Sequence, residues 1–406
     1  MKYGLIGKDV TYSYSSIIHK SLTRQDYELL SLNEDEVKSF ISKKEYEMVN
    51  ITNPYKKLAF GLVDVVMGED VGCINTIIND DGLLLGVNTD YLGLKDVLKN
   101  SKIKIRNKDV VIMGSGATSQ MIKHLCTKLK AKRIRICSRS SDYDLTYDEL
   151  NLDGDVEVLF NATPVGNINF PDKSTVNLEK LSKLEAVVDL VYNPYNTNLI
   201  KQARIRGLKI GYGLDMLIYQ AMYSRLILGD LEDFDFEKLK AQIRIKHSNV
   251  YLIGMMGSGK SSIGLALSKK LGMSFIDLDL EIVKLTKKPV KDIILEQGIE
   301  AFRKIETECL LNLNTNNSII SLGGGSVLTK DNIIKILDDG IVIQIKRNLR
   351  ESFNSINDGT RPLALNYESF KQIYKDRIKI YDYISDYTFI NKNIDEVVLE
   401  ISKLLK

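Results

Sequence analysis

The residues with the clearest chemistry are Gly254-Met255-Met256-Gly257-Ser258-Gly259-Lys260-Ser261, which satisfy the spacing G-x-x-x-x-G-K-[ST]. An apolar run, Asn249–Ile253, precedes them, and a helical pattern in Ile263, Leu265, Ala266, Leu267 and Leu271 follows. Strand, glycine loop and helix in that order form a phosphate cradle, because glycines let backbone N–H groups turn onto a polyphosphate. The helix N-terminus adds positive potential. Gly257, Ser258, Gly259, Lys260, Ser261 and Ser262 are therefore candidate phosphate ligands, with the Ser261 hydroxyl placed for Mg²⁺. A glycine-rich turn that binds nothing is the plain alternative, and it does not account for the strand before the loop or the helix after it.

A second glycine loop lies far upstream. The apolar strand Asp109–Met113 runs into Gly114-Ser115-Gly116-Ala117-Thr118-Ser119, and a helix through Met121, Ile122, Leu125 and Leu129 leads to the strand Arg133–Cys137. This is G-x-G-x-x-[G/A] in a βαβ setting, with Ser119 at the third small position, and it marks Gly114, Ser115, Gly116, Ala117 and Thr118 as dinucleotide contacts. An NAD-binding fold places an acidic residue after the second strand; here Ser138, Arg139 and Ser140 stand there instead. An arginine between hydroxyls suits a ribose 2′-phosphate, so NADP(H) is expected over NAD.

Two nucleotide loops need two sets of elements to hold them. The 406 residues predict two or three domains. A hydrophobic content of 44% with 27% charged residues fits globular packing, and a net charge of +3 argues against nucleic acid or an anionic membrane as the main partner. Cys73, Cys126, Cys137 and Cys309 form no C-x-x-C pair, which points to a reduced, cytoplasmic setting. No apolar run is long enough to span a bilayer, and the first residues are too short of apolar length for a signal peptide. Up to Lys99 the pattern alternates: strands at Tyr3–Ile6 and Glu47–Ile51, a helix starting at Ser16–Leu22, a helix carrying Lys56, Ala59, Phe60 and Val63, and a hairpin turning at Asn79–Gly82. Further strands are expected at Glu157–Phe160 and Ala186–Val191, and helices at Asp215–Leu228 and Phe234–Ile243.

The first half resembles shikimate dehydrogenase, the reductase of 3-dehydroshikimate. The residues that carry the resemblance are Ser13-Tyr14-Ser15, Asn50-Ile51-Thr52-Asn53-Pro54-Tyr55-Lys56, Asn75-Thr76 with Gly86-Val87-Asn88-Thr89-Asp90, Asn161-Ala162-Thr163, and Gly213-Leu214-Asp215-Met216-Leu217-Ile218-Tyr219-Gln220. The resemblance implies that Lys56 and Asp90 are the catalytic pair. It implies that Ser13, Ser15, Thr52, Asn75, Tyr192 and Gln220 hold the substrate, and that Asn161, Thr163 and Gly213 join the cofactor site. Taken singly, Lys56 reads as an exposed helix lysine and Asp90 as a helix cap. Three departures stand out: Ser16 replaces the family's proline, the segment between His19 and Asn50 looks short, and Tyr143 sits near a position where a second arginine is usual.

The second half resembles shikimate kinase. Beyond the phosphate loop it carries Asp277-Leu278-Asp279, Phe302-Arg303-Lys304-Ile305-Glu306, Gly323-Gly324-Gly325, Arg361-Pro362-Leu363 and Arg377 before Tyr381. The resemblance implies ATP as the nucleotide and Mg²⁺ held by Ser261 and Asp277. It implies Lys260 and Arg361 on the transferred phosphoryl group, and Asp279, Arg303, Gly324 and Arg377 around shikimate. Asp279 would also orient or deprotonate the attacking hydroxyl. The stretch Asn354–Asn366, with Gly359 and Pro362, suits a closing lid. His19, His124 and His247 have no metal-ligand spacing.

The expectation is thus an α/β chain: a two-lobed dehydrogenase, with an α/β substrate domain and a Rossmann NADP domain, followed by a P-loop α/β kinase. Its boundaries are a substrate domain at 1–104, an NADP-binding domain at 105–214, helices returning to the substrate domain at 215–244, a linker at 245–248 and the kinase at 249–406. It would reduce 3-dehydroshikimate with NADPH and phosphorylate shikimate with Mg-ATP, as a monomer or homodimer. Three alternatives stay open: a dehydrogenase that also takes quinate with NAD, a non-catalytic regulator that binds these metabolites, and a kinase of another small polyol.

Overall fold

The computed structural model describes residues 2–11, 13–140, 142–168, 170, 176–246, 248–356 and 366–406. It divides into two compact units, Met1–Ala203 with Leu208–Lys240, and Arg204–Gly207 with Ala241–Lys406.

The first unit holds two sheets. In the first, the strands run in the order Glu28–Ser31, Tyr3–Gly7, Met48–Ile51, Thr76–Asp80, Leu83–Val87, Val65–Met67, with Thr76–Asp80 antiparallel to both neighbours. The hairpin predicted at Asn79–Gly82 is present, and its turn residues Asp81 and Gly82 both have positive φ, 46° and 90°. That backbone twist matches the twist of the paired strands. The second sheet is fully parallel, ordered Arg133–Cys137, Asp109–Met113, Val158–Asn161, Ala186–Asp189, Lys209–Tyr212. This is the doubly wound order 2-1-3-4-5, whose strand order reverses beside Asp109–Met113, where a ligand crevice opens.

The two helices that matter most to the site are Thr89–Asn100 and Gly213–Leu228. Asn88 caps the first by accepting from Tyr91 N, which puts Asp90 in the first turn. They pack closely because of Gly93: a Cβ there would meet Gln220 N at 3.0 Å and Met216 O at 3.1 Å. Any side chain at 93 would push the backbone at Met216 and Gln220 away from the helix Thr89–Asn100.

The second unit is one parallel sheet, ordered Ser274–Asp277, Ser318–Ser321, Asn249–Ile253, Gly340–Lys346, Tyr387–Ile390. Its strands are near-continuous apolar runs because both faces are covered. On one face Leu278, Ile282, Phe302, Ile336 and Tyr381 pack on the sheet, and on the other Ile263, Leu267, Val397 and Ile401 do.

Several elements differ from the sequence reading. The strand Glu28–Ser31, the helix Glu34–Lys43, and the strands Val65–Met67 and Lys209–Tyr212 are not among the expected elements. The helix expected to carry Val63 ends at Phe60, with Gly61 as its C-cap. The strand expected from Glu157 starts at Val158, because the Glu157 carboxylate instead accepts from Lys108 Nζ and Asp109 N, both at 2.9 Å. The last helix of the first half, Phe236–Ile245, runs past the expected break at Arg244. Its residues Ala241 and Ile245 belong to the apolar core of the second unit, so the helix continues until that face is buried.

Candidate active sites

In the first unit a cavity of about 470 Å³ is lined by Ser13, Ser15, Asn50, Thr52, Lys56, Asn75, Asp90, Thr163, Tyr192 and Gln220. Lys56 opens the short helix Lys56–Phe60, and its Nζ lies 2.5 Å from Asp90 Oδ2. Both side chains are 12% exposed, so the pair is screened from bulk water but open to the cavity. An ammonium held by a carboxylate in this way can deliver a proton to a developing alkoxide. Ser13 Oγ donates to Ser15 Oγ at 2.9 Å, and Tyr192, whose phenol is pushed up by burial, is hydrogen-bonded to Ser13. These three hydroxyls form one polar wall.

The glycine loop adjoins this cavity. Gly114 has φ +107°, and a Cβ on it would lie 3.1 Å from Thr163 Cγ2 and 3.2 Å from Ala162 O. Gly116 has nothing within 4 Å of a built Cβ, so the space over the N-terminus of the helix Ala117–Lys128 is open to a ligand. Arg139 is exposed at the end of the neighbouring strand, with Ser138 and Ser140 beside it. A bare glycine shelf, a helix N-terminus and an exposed guanidinium fit a phosphorylated dinucleotide. Asn161 is different. Its side chain is buried and donates to Asp189 Oδ1 at 2.9 Å and Val165 O at 3.1 Å, while accepting from Thr163 N and Oγ1. It shapes the Thr163 turn from beneath instead of facing the crevice.

In the second unit two cavities adjoin. One, of about 390 Å³, is lined by Gly257, Gly259, Lys260, Ser261, Ser262, Asp277, Arg347 and Asn391. The other, of about 470 Å³, is lined by Val290, Phe302, Arg303, Glu306, Gly325 and Arg377. Both contain Met256, Asp279, Gly323 and Gly324, so Asp279 stands where they meet. Gly254, Gly257 and Gly259 all have positive φ, at 141°, 73° and 94°. Lys260 Nζ donates to Gly254 O at 3.0 Å and Met255 O at 2.9 Å, folding the loop over its own ammonium. Ser261 Oγ donates to Asp277 Oδ2 at 2.5 Å, and Asp277 Oδ1 accepts from Asp279 N at 3.1 Å. A hydroxyl and a carboxylate set so closely beside a phosphate loop fit a hard divalent cation such as Mg²⁺.

The second cavity carries two arginines, Arg303 and Arg377, among its lining residues. Arg303 pairs with Glu306, which is fully buried; burial raises its carboxyl, opposed by Arg303 and by the Ser326 hydroxyl. A Cβ on Gly325 would fall 1.9 Å from Arg303 Nη2, so the guanidinium lies flat against bare backbone. Arg377 is buried and hydrogen-bonded to Tyr381, whose hydroxyl donates to Gly324 O. Burial pushes the Tyr381 phenol up to about 12, opposed by Arg377. Two guanidiniums, Arg303 and Arg377, thus stand in the wall of this cavity, across from the carboxylates of Asp279 and Asp292.

Comparison with known proteins agrees with this geometry. Over 243 residues the chain is 32% identical to the shikimate dehydrogenase (NADP⁺) of Clostridium botulinum strain Loch Maree, a match that spans 55% of this chain and 94% of that protein. The chain belongs to the shikimate dehydrogenase family. A shikimate kinase family model matches residues 256–406, so the polypeptide joins a shikimate dehydrogenase to a shikimate kinase. The crystal structure of a chorismate mutase/shikimate 5-dehydrogenase fusion protein from Clostridium acetobutylicum is similar at TM-score 0.54 and 29% identity, covering 58% of this chain and 94% of that one. That of shikimate 5-dehydrogenase from Thermus thermophilus in complex with NADP(H) and shikimate gives TM-score 0.52 and 26% identity, covering 57% and 95%.

Within this dehydrogenase–kinase fusion, the ten residues named for the first cavity come from segments far apart in sequence. Gly213 lies under Leu190, where a Cβ would meet the Leu190 carbonyl oxygen at 2.5 Å, so it acts through backbone approach. In the kinase, Arg361 and most of the Asn354–Asn366 segment fall outside the described residues. Asn50, Thr89, Arg347, Glu306 and Asn391 were not singled out as site residues from the sequence. Asn391 Nδ2 donates to Ser258 O at 2.8 Å and closes over Gly259, and Arg347 Nη1 donates to Gly257 O at 3.2 Å. No local spacing marks either one; only their proximity to the loop does. His19 is fully buried, stacked on Tyr27 at 4.0 Å, and accepts from Arg225 Nε at 2.9 Å. Burial and then the Arg225 charge hold it well below the usual histidine range, so it is a neutral packing element. Among the described residues no cluster of three His, Cys, Asp or Glu could hold a metal, and no helix is long and apolar enough to cross a membrane.

Proposed function

We propose that the first half reduces 3-dehydroshikimate to shikimate and that the second half phosphorylates shikimate to shikimate 3-phosphate. The observation that carries this reading is common to both halves. Each sets a carboxylate, Asp90 or Asp279, in the wall of a polar cavity that adjoins a glycine loop: Asp90 lines the cavity whose Thr163 lies against Gly114, and Asp279 lines both the Arg303–Arg377 cavity and that of the phosphate loop.

In the first half, bound NADPH supplies a hydride. Lys56 donates its proton to the ketone oxygen as negative charge builds there, and Asp90 keeps the ammonium aimed and charged. The Ser13–Ser15–Tyr192 hydroxyls, Thr52, Asn75 and Gln220 orient the ring. The balance is ketone, NADPH and a proton to alcohol and NADP⁺. In the second half, Arg303 and Arg377 grip a carboxylate and Asp279 takes the proton of the attacking hydroxyl. Lys260 and the loop amides neutralise the transferring phosphoryl group, joined by Arg361 in the family reading. Mg²⁺, held at Ser261 and Asp277, would offset phosphate charge. The domain boundaries we propose are those of the sequence reading, with the second helix of the returning segment extended through Ile245.

The test is one coupled assay of the intact chain with 3-dehydroshikimate, NADPH and Mg-ATP. The expected result is NADPH consumption and accumulation of shikimate 3-phosphate, with shikimate alone accumulating when ATP is withheld. NADPH consumption without ATP-dependent product would refute the kinase assignment, and phosphorylation of added shikimate without NADPH consumption would refute the reductase assignment.

A further inference from the structure

Behind the Lys56–Asp90 cavity lies a group of buried hydroxyls that the reaction outlined above does not use. Thr76, Thr89 and Ser224 are each fully buried. Their oxygens form a triangle: Thr76 to Thr89 at 3.1 Å, Thr76 to Ser224 at 3.1 Å, and Thr89 to Ser224 at 3.3 Å. They come from the first sheet, the start of the helix Thr89–Asn100 and the helix Gly213–Leu228.

The amides and carbonyl around the triangle fix part of its wiring. Tyr27 donates its hydroxyl to Asn50 Oδ1 at 2.7 Å, which fixes the Asn50 amide. Asn50 Nδ2 then donates to Thr76 Oγ1 at 2.8 Å and Ser224 Oγ at 2.9 Å. Both of those hydroxyls already accept from an amide, so their own protons point onward. Ser224 donates to Gln220 O at 3.0 Å, and Thr76 passes its proton to Thr89 or Ser224. Thr89 then has three acceptors in reach, Asn75 Oδ1 at 3.2 Å, Ser224 Oγ at 3.3 Å and Gln220 Oε1 at 3.5 Å.

The two amides at the exit are those that line the substrate cavity. Asn75 Oδ1 is fixed inward by the Thr89 backbone N–H at 2.6 Å, so its Nδ2 must point to Thr89 Oγ1 at 3.0 Å and Gln220 Oε1 at 3.3 Å. Gln220 Oε1 is thereby occupied, and Nε2 donates one proton to Leu217 O at 2.9 Å. One N–H of Gln220 remains for the cavity. An amide free to flip would offer a substrate hydroxyl either a donor or an acceptor; here it offers only a donor.

We propose that Thr89, with Thr76 and Ser224, is a positioning element that sets substrate specificity by holding the Asn75 amide inward and, through it, the Gln220 amide with one N–H toward the substrate. The inference rests on the reductase reading, since it concerns the same cavity. Buried hydroxyl networks of this kind rigidify a site when every member is satisfied.

Kinetics of the intact chain test it, with the wild type run first. If the wild type fails to reduce 3-dehydroshikimate, the reductase reading itself fails; the proposal is judged only against an active wild type. Thr89→Val keeps the branched shape and the backbone N–H but removes the hydroxyl. It is expected to raise KM for 3-dehydroshikimate about 10-fold, with kcat and KM for NADPH changed less than about 2-fold. Thr89→Ser should restore KM. Ser224→Ala, which breaks the triangle on its far side, should raise KM in the same sense, and it carries the test if Thr89→Val no longer binds NADPH. The deciding readout is a double-mutant cycle. In a Gln220→Ala background, Thr89→Val should add less than about 2-fold, because Thr89 acts through that amide. Unchanged KM in the single variants, or a fully additive cycle, overturns the proposal.

Discussion

Replacing Lys56 is the most informative single perturbation. Its ammonium sits 2.5 Å from Asp90 Oδ2, and both side chains are 12% exposed, so two functions are lost together. The first is the proton itself, since general acid catalysis by a placed side chain contributes about 10²–10⁴-fold. The second is the positive charge near the developing alkoxide, which in a partly buried site adds to that figure. Lys56→Ala should therefore lower dehydrogenase kcat by about 10²-fold or more. KM for NADPH should hold, because the glycine loop lies on other elements. Lys56→Met, which keeps the length of the stem, separates lost chemistry from lost packing and should be nearly as slow. The kinase is an internal control: its rate with shikimate and Mg-ATP should match that of the wild type. The measurement is steady-state NADPH oxidation beside shikimate 3-phosphate formation on the same preparation. Reduction at near wild-type rate in either variant would refute the acid assignment and, with it, the role given to Asp90.

Four further outcomes follow from the geometry. Lys260→Ala should abolish phosphorylation and spare reduction, since the loop loses the ammonium that Gly254 O and Met255 O hold in place; retained ATP-dependent turnover would contradict the phosphate-cradle role. Gly325→Ala should raise the kinase KM for shikimate by about 10-fold with little change in thermal stability, because the new methyl displaces the flexible Arg303 guanidinium and not backbone; an unchanged KM would remove Arg303 from the substrate site. Arg139→Gln should weaken NADPH more than NADH, by about 10-fold in KM, and equal effects on both would show that no 2′-phosphate is held there. Burial raises the Asp189 carboxyl to about 6, against bonds from Thr197, Val191 N and Asn161. The folded state then holds a proton that the unfolded chain, titrating at about 4, has lost, so this group's contribution to stability falls as pH rises from about 4 to 6. Asp189→Asn should flatten the melting temperature of the dehydrogenase across that window, and an unchanged slope would assign the effect elsewhere.

Sequence alone was sufficient wherever function depends on backbone geometry between near neighbours. The two glycine loops are of this kind: Gly114 in one and Gly254, Gly257 and Gly259 in the other have positive φ, with a strand directly before each loop and a helix directly after it. One more local signal of this sort is present. Asn33 and Glu36 form a capping box ahead of Val37 and Ile41, which announces the helix Glu34–Lys43 that is absent from the expected elements. What only the tertiary structure decided is the company each polar side chain keeps. Lys56 and Asp90 are 34 positions apart, and Asn75 and Gln220 are 145 apart. Nothing in the identity of Thr76, Thr89 or Ser224 distinguishes them from surface hydroxyls; burial between two sheet-bound helices makes their hydrogen bonds obligatory and therefore directional. The same logic turned Asn161 from a crevice residue into a buried support for the Thr163 turn. A short-range code fixes the path of the chain, but desolvation, which only the folded neighbours impose, fixes which way each amide and hydroxyl must point.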